Sequence, residues 1–106
     1  MRESELDFRS ETSAAAMRIH PLIRETPVQR SVWLGAVGKC DARLKLKNLQ
    51  ATGSFKLRGA ANKLLSLSEA ERQRGIVTAS SGNHAGAIAH LLHGFGWPGT
   101  IFVPED

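Results

Sequence analysis

Two short β-prone runs with an amphipathic segment between them constrain this chain more than any other feature. Ile76-Val77-Thr78-Ala79 and Thr100-Ile101-Phe102-Val103 read as strands, the second closed by Pro104. Between them Ile88, Leu91, Leu92 and Phe95 recur at i, i+3, i+4 and i+7, the spacing that gathers apolar side chains on one helix face. Gly94 and Gly96 supply the helix stop. Strand, helix and strand in so short a span predict a βαβ unit with parallel strands and a right-handed crossover. A parallel sheet needs cover on both faces. A single βαβ unit leaves a face or an edge bare, so the sequence reads as the front of a larger α/β protein.

Upstream, Ala14, Ala15, Ala16 and Met17 favour a helix over Glu11 to Ile19, and Pro21 limits how far it runs. Thr26-Pro27 reads as an extended start, because a residue before proline avoids the helical region. Val28 and the stretch Val32 to Val37 are apolar without a clear period. Gly38-Lys39-Cys40-Asp41 is a turn, and Ala42 to Lys47 alternates like a half-buried strand with one solvated face. After a loop from Asn48 to Ser54, Leu57, Ala60, Ala61, Leu64 and Leu65 share one helix face, with Ser54 as the expected cap. Gly59 inside that helix costs roughly 1 kcal/mol against alanine and suggests close approach by another backbone or a ligand. Ser68 and Glu71 have capping-box spacing at the head of a second short helix, which Gly75 ends.

Composition narrows the function classes. At 106 residues with 42% apolar content, the chain is the size of one small domain. No apolar run is long enough to cross a bilayer. The charged opening, Met1 to Asp7, lacks the apolar stretch of a signal peptide. Cys40 has no partner for an internal disulfide, and no metal cluster can be built around it. A soluble cytoplasmic protein without a membrane partner is expected. The net charge of +4 invites a nucleic-acid reading, but the basic residues are spread along the chain, so no nucleic-acid partner is expected. His90 and His93 fall at i, i+3 with no carboxylate or cysteine near them, which reads as a surface pair rather than a metal site.

Two places can carry chemistry. The loop Ser80-Ser81-Gly82-Asn83-His84 follows a strand and opens a helix, where free backbone N–H groups and the helix dipole favour an anion. A carboxylate or phosphate suits it; so does an ordinary capped helix start in which Ser81 or Asn83 satisfies the backbone. Lys56 stands at the start of the preceding helix, after a small-residue turn. That position sets its charge against the helix dipole, and an uncharged amine is the nucleophile that condenses with an aldehyde. Most lysines in a first turn are simply solvated, and position alone favours that reading.

The two places together carry a resemblance. The string Leu44-Lys45-Leu46-Lys47-Asn48-Leu49-Gln50-Ala51-Thr52-Gly53-Ser54-Phe55-Lys56-Leu57-Arg58-Gly59-Ala60, followed by Thr78-Ala79-Ser80-Ser81-Gly82-Asn83-His84-Ala85, resembles the threonine/serine dehydratases. These belong with serine racemase to the fold type II (tryptophan synthase β-like) enzymes that use pyridoxal 5'-phosphate (PLP). Thr26-Pro27 is similar to that family's Thr-Pro-Leu element, with Val28 in place of leucine. The resemblance implies that Lys56 bonds the PLP aldehyde as a Schiff base and then acts as base at the substrate α-carbon. It implies that Asn83 hydrogen-bonds the cofactor's ring hydroxyl and that Phe55 flanks the ring. Ser80, Ser81, Asn83 and His84 would hold the substrate carboxylate, largely through backbone N–H groups. Ser81 occupies the position of a second acid/base in racemase-like members. Loss of the α-proton and then of the β-hydroxyl would yield an enamine that hydrolyses to a 2-oxo acid and ammonia.

The same resemblance assigns residues 1–74 to the large PLP-binding domain and 75–106 to the start of the small one, both incomplete. It sets the glycine-rich phosphate loop beyond residue 106, so little or no dehydratase activity is expected of these residues alone. Lys47 departs from the glutamate that many relatives carry, placing a second cation near the site entrance or altering a structural pair. Full-length relatives are expected to be homo-oligomers. L-threonine and L-serine are the expected substrates; a serine racemase-like or other fold type II lyase is the alternative within the class. Outside it stands a non-catalytic remnant that binds anions or nucleic acid.

Overall fold

The computed structural model describes residues 7–105, over which five α-helices and four strands form. The opening stretch Met1 to Leu6, and Asp106, lie outside the described residues. Helix α1 (Phe8–Ile19) starts a turn before the alanine run suggests, because the Asp7 carboxylate accepts from the backbone N–H groups of Arg9 and Ser10. It gives way to a short 3₁₀ segment, His20–Leu22, with Pro21 in its first turn. Strands β1 (Val28–Arg30) and β2 (Arg43–Lys45) pair antiparallel around α2 (Val32–Gly38), with Val28 opposite Lys45 and Arg30 opposite Arg43. The apolar stretch without a clear period is thus a helix, capped by Ser31 and closed by Lys39 in the left-handed region at φ 51°. The strand expected over Ala42 to Lys47 is corrected in length and in burial. It spans three residues, all exposed, and Lys47 begins a 3₁₀ turn. No layer among the described residues lies over it, so its alternation finds nothing to bury against.

The second half follows the expected order. Helix α3 (Lys56–Leu65) leads to α4 (Glu69–Gln73), whose Ser68–Glu71 capping box is complete, and Gly75 at φ 92° ends it. Then come β3 (Ile76–Ala79), α5 (Asn83–Phe95) and β4 (Gly99–Phe102). The two strands run parallel, Ile76 opposite Gly99 and Ala79 opposite Phe102. Gly94 lies inside α5; Gly96, at φ 66°, alone makes the stop.

The core forms where α3 meets α5. Leu57, Ala60, Ala61 and Leu64 pack with Ala87, Ile88, Leu91, Leu92 and Ile19 in one buried cluster. Leu65, expected on the same face, is half-buried. Alanines at the crossing let the two helix backbones approach, and Leu57, Ala61 and Ala87 are fully enclosed at 0% exposure. The cluster draws on residues from both sides of residue 75. Arg18 of α1 donates to Asn62 Oδ1 at 2.5 Å and ties α1 to α3. The radius of gyration is 17.3 Å, well above the ~13 Å of a compact domain of this length.

Candidate active site

A buried glutamine shapes the approach to Lys56. Gln50, 4% exposed, donates from Nε2 to the Arg24 carbonyl at 2.9 Å and accepts from the Arg24 N–H at 2.8 Å. It closes both backbone groups of Arg24 and anchors the loop that follows. Gly53, at φ 73°, turns the chain, its N–H donating to the Gln50 carbonyl at 2.8 Å. Ser54 is buried, and its hydroxyl accepts from the Lys56 N–H at a long 3.4 Å. The capping position itself belongs to Phe55, which offers no side-chain bond, and Ser54, one residue earlier, accepts from the first helical N–H as expected of it. Lys56 is the first residue of α3, and its Nζ lies 5.2 Å from the centroid of the exposed Phe55 ring, within cation–π range.

The strand-to-helix loop is held lightly. The Ser80 N–H donates to the Phe102 carbonyl at 3.0 Å, and the Gly82 N–H to Ser80 Oγ at 3.2 Å. Gly82 occupies the capping position of α5, and no side chain caps the first turn. The capped-start reading through Ser81 or Asn83 therefore does not hold, and the turn is left with backbone donors facing outward. Such an end favours an anion by roughly 0.3–1 kcal/mol. One contact was not legible in the sequence: His84 Nε2 lies 3.0 Å from Thr78 Oγ1.

A cavity of about 620 Å³ joins the two places. Phe55, Lys56 and Gly59 of α3, Thr78 of β3, and His84 and Ile88 of α5 line it. No atom lies within 4 Å of where a Gly59 Cβ would stand. Among the described residues no other backbone approaches Gly59, and the space beside it belongs to the cavity. Ser80 and Ser81 line a second hollow of about 440 Å³ with Phe102 and Val103. Asn83 is exposed at the head of α5 and lines neither. The fold thus brings Phe55, Lys56 and His84 around one space and sets the two serines beside another. His90 and His93 are exposed on α5. Among the described residues no three His, Cys, Asp or Glu side chains are grouped to hold a metal, and no helix is long and apolar enough to cross a membrane.

Solved structures share this arrangement. A serine racemase from Dictyostelium discoideum matches with a TM-score of 0.84 at 38% identity, over 92% of this chain and 32% of its own. A threonine deaminase from T.th. matches with a TM-score of 0.79 at 37% identity, over 92% of this chain and 30% of its own. The fold is therefore the α/β fold of the type II PLP enzymes. In sequence the chain is 44% identical over 92 residues to the catabolic L-threonine dehydratase of Staphylococcus aureus (strain USA300), covering 86% of this chain and 27% of that protein. Residues 19–106 match the family described as pyridoxal-phosphate dependent enzymes, and the chain belongs to that family. It spans about a quarter to a third of the length of these relatives.

The residues present fit the cofactor chemically. An amine for the aldehyde, a glycine that leaves room where a side chain would intrude, and apolar walls from Leu64, Ile76 and Ile88 surround one space. A concave, mainly apolar site with a few convergent polar groups is what an aromatic cofactor requires.

Proposed function

We propose that these residues form the amine-bearing and carboxylate-binding part of a PLP-dependent ammonia-lyase that acts on L-threonine or L-serine. One observation carries the reading: Lys56, at the head of α3, lines the same cavity as His84, from the uncapped first turn of α5. Likeness to an L-threonine dehydratase supports a β-hydroxy amino acid as substrate. When bound, PLP supplies the electron sink that lets a proton leave the substrate α-carbon. Lys56 would hold the cofactor through Nζ and take that proton there. Phe55 would flank the ring, and Asn83 would hydrogen-bond the ring hydroxyl. The substrate carboxylate would rest on the turn from Ser80 to His84, Ser81 and Asn83 included, which borders both hollows, held by backbone N–H groups and the helix dipole. Expulsion of the β-hydroxyl as water, followed by hydrolysis of the released enamine by a second water, would give a 2-oxo acid and ammonia.

A serine racemase-like activity is the second reading, supported by likeness to the Dictyostelium enzyme. It gives Ser81, which lines the second hollow rather than the Lys56 cavity, the role of second acid/base. We further propose the division into residues 1–74, of the large domain, and 75–106, of the small one, with the α3–α5 cluster where the two meet. The whole protein is proposed as a cytoplasmic homo-oligomer without a nucleic-acid partner; the dispersed basic residues support the last point. The 106 residues alone are proposed to lack dehydratase activity.

The test is chemical. The chain is mixed with PLP, reduced with borohydride and mapped by mass spectrometry. A label on Lys56 that disappears in Lys56→Ala is expected. A label shared evenly among Lys39, Lys45, Lys47, Lys56 and Lys63 would overturn the reading. Release of keto acid from threonine by these residues alone, at a rate that Lys56→Ala abolishes, would overturn the expected inactivity and leave the site assignment standing.

A further inference from the structure

Thr78 and His84 stand on either side of the loop between β3 and α5, and their side chains meet across it at 3.0 Å. Both are half-buried, and both line the Lys56 cavity. Between them Ser81, Gly82 and Asn83 are exposed. The loop's other bonds are a strand-end backbone pair, a Ser80 contact two residues away and the first helical bond, from the Gly86 N–H to the Gly82 carbonyl. Among the described residues the threonine–histidine contact is the side-chain tie that spans the whole turn. A neutral imidazole has one protonated nitrogen and one bare one, and a hydroxyl can donate to the second or accept from the first. A fixed hydroxyl partner can serve either tautomer, so what it fixes is the orientation of the ring. The proposed mechanism uses the His84 backbone N–H and leaves its ring, and all of Thr78, without a task.

We propose that Thr78 is a positioning residue. Its hydroxyl holds the His84 imidazole in one orientation on the wall of the Lys56 cavity, and so orients a ligand bonded at Lys56. The ligand half of this statement rests on the proposed function; the hold on the ring does not. The geometry makes it specific. Thr78 lies at the carboxyl end of β3 and His84 in the first turn of α5, so their bond also fixes how the anion-favouring turn sits against the strand.

The test uses two variants of the 106-residue chain. Thr78→Val keeps the β-branched shape and removes the hydroxyl; Thr78→Ser keeps the hydroxyl. Nitrogen-15 relaxation and chemical shifts of the His84 ring report whether it is held by a hydrogen bond, and the PLP–borohydride trap reports selectivity for Lys56 over the other lysines. The unaltered chain is expected to show an ordered His84 ring with a hydrogen-bonded Nε2. Thr78→Val is expected to show a mobile ring and to lose about fivefold in Lys56 selectivity, the factor one net hydrogen bond commonly contributes. Thr78→Ser should restore both. A mobile ring in the unaltered chain, or identical ring spectra with and without the hydroxyl, would overturn the hold on the ring. A changed ring spectrum with unchanged Lys56 selectivity would overturn the orienting role and reduce the pair to a structural tie. No trapping at Lys56 in the unaltered chain would overturn the proposed function and the ligand half together, while the ring spectra still decide the rest.

Discussion

The α3–α5 pair and the β1–α2–β2 arm meet opposite fates from similar material. The helices bury Leu57, Leu64, Ile88, Leu91 and Leu92 against one another. The arm is about as apolar in sequence, yet Val28, Val32, Trp33 and Val37 lie in the open, Trp33 at 72% exposure. Geometry separates them. Two amphipathic helices cover each other's apolar stripes. A two-stranded ribbon around a seven-residue helix has nothing opposite it among the described residues, and such ribbons are marginal without a covering layer. The site belongs to the packed half. Lys56 and His84 lie at the heads of the two helices that make the core, so the packing one turn along each helix sets where their backbones stand. The comparison teaches that the core places the Lys56 backbone, while the amine at the end of the side chain keeps its own contact with the Phe55 ring.

That contrast can be broken or sharpened by substitution. Leu57→Ala removes an enclosed side chain at 0% exposure and should cost about 2–5 kcal/mol in denaturant unfolding. A loss of only a few tenths would mean that the two helices do not share a core. Next comes Gly99→Ala, whose added methyl would meet the Leu92 side chain and stand 3.1 Å from the Ile76 carbonyl. Overpacking there should cost about 1–3 kcal/mol, and an unchanged midpoint would show that β4 shifts freely on α5. Ser68→Ala breaks the capping box and should cost about 1 kcal/mol.

The Ser68 variant carries a pH signature. Bonds from the Ser68 backbone and hydroxyl hold the exposed Glu71 carboxyl below its usual 4.5. A group depressed in the folded state contributes stability above its unfolded value and loses it as pH falls through the folded one. The unaltered chain should therefore lose this contribution below about pH 4.5, with a weaker slope in Ser68→Ala. Smallest of all, Trp33→Ala on the arm should stay within about 0.5 kcal/mol. A larger loss would show that the arm's apolar surface is covered in solution, and the contrast between the two regions would fail.

Much of the fold was legible because its signals are local. The βαβ unit, the buried face of α3, the Ser68–Glu71 box and the place of Lys56 at a helix head rest on residues a few positions apart, where helical period, capping and chain stiffness act directly. Other features needed the folded chain. Gln50 reaches Arg24 across 26 positions, and nothing in the pattern of either segment announces the other. His84 finds Thr78 only once β3 and α5 are set on one another. The exposure of β2 and the parting of Ser80 and Ser81 from the Lys56 cavity depend on which surfaces find a partner, a matter of packing in space. Sequence by itself determined which elements form and which residues are chemically able to act. Tertiary structure decided which of them share a space, because contact between distant segments is settled by how apolar faces cover one another.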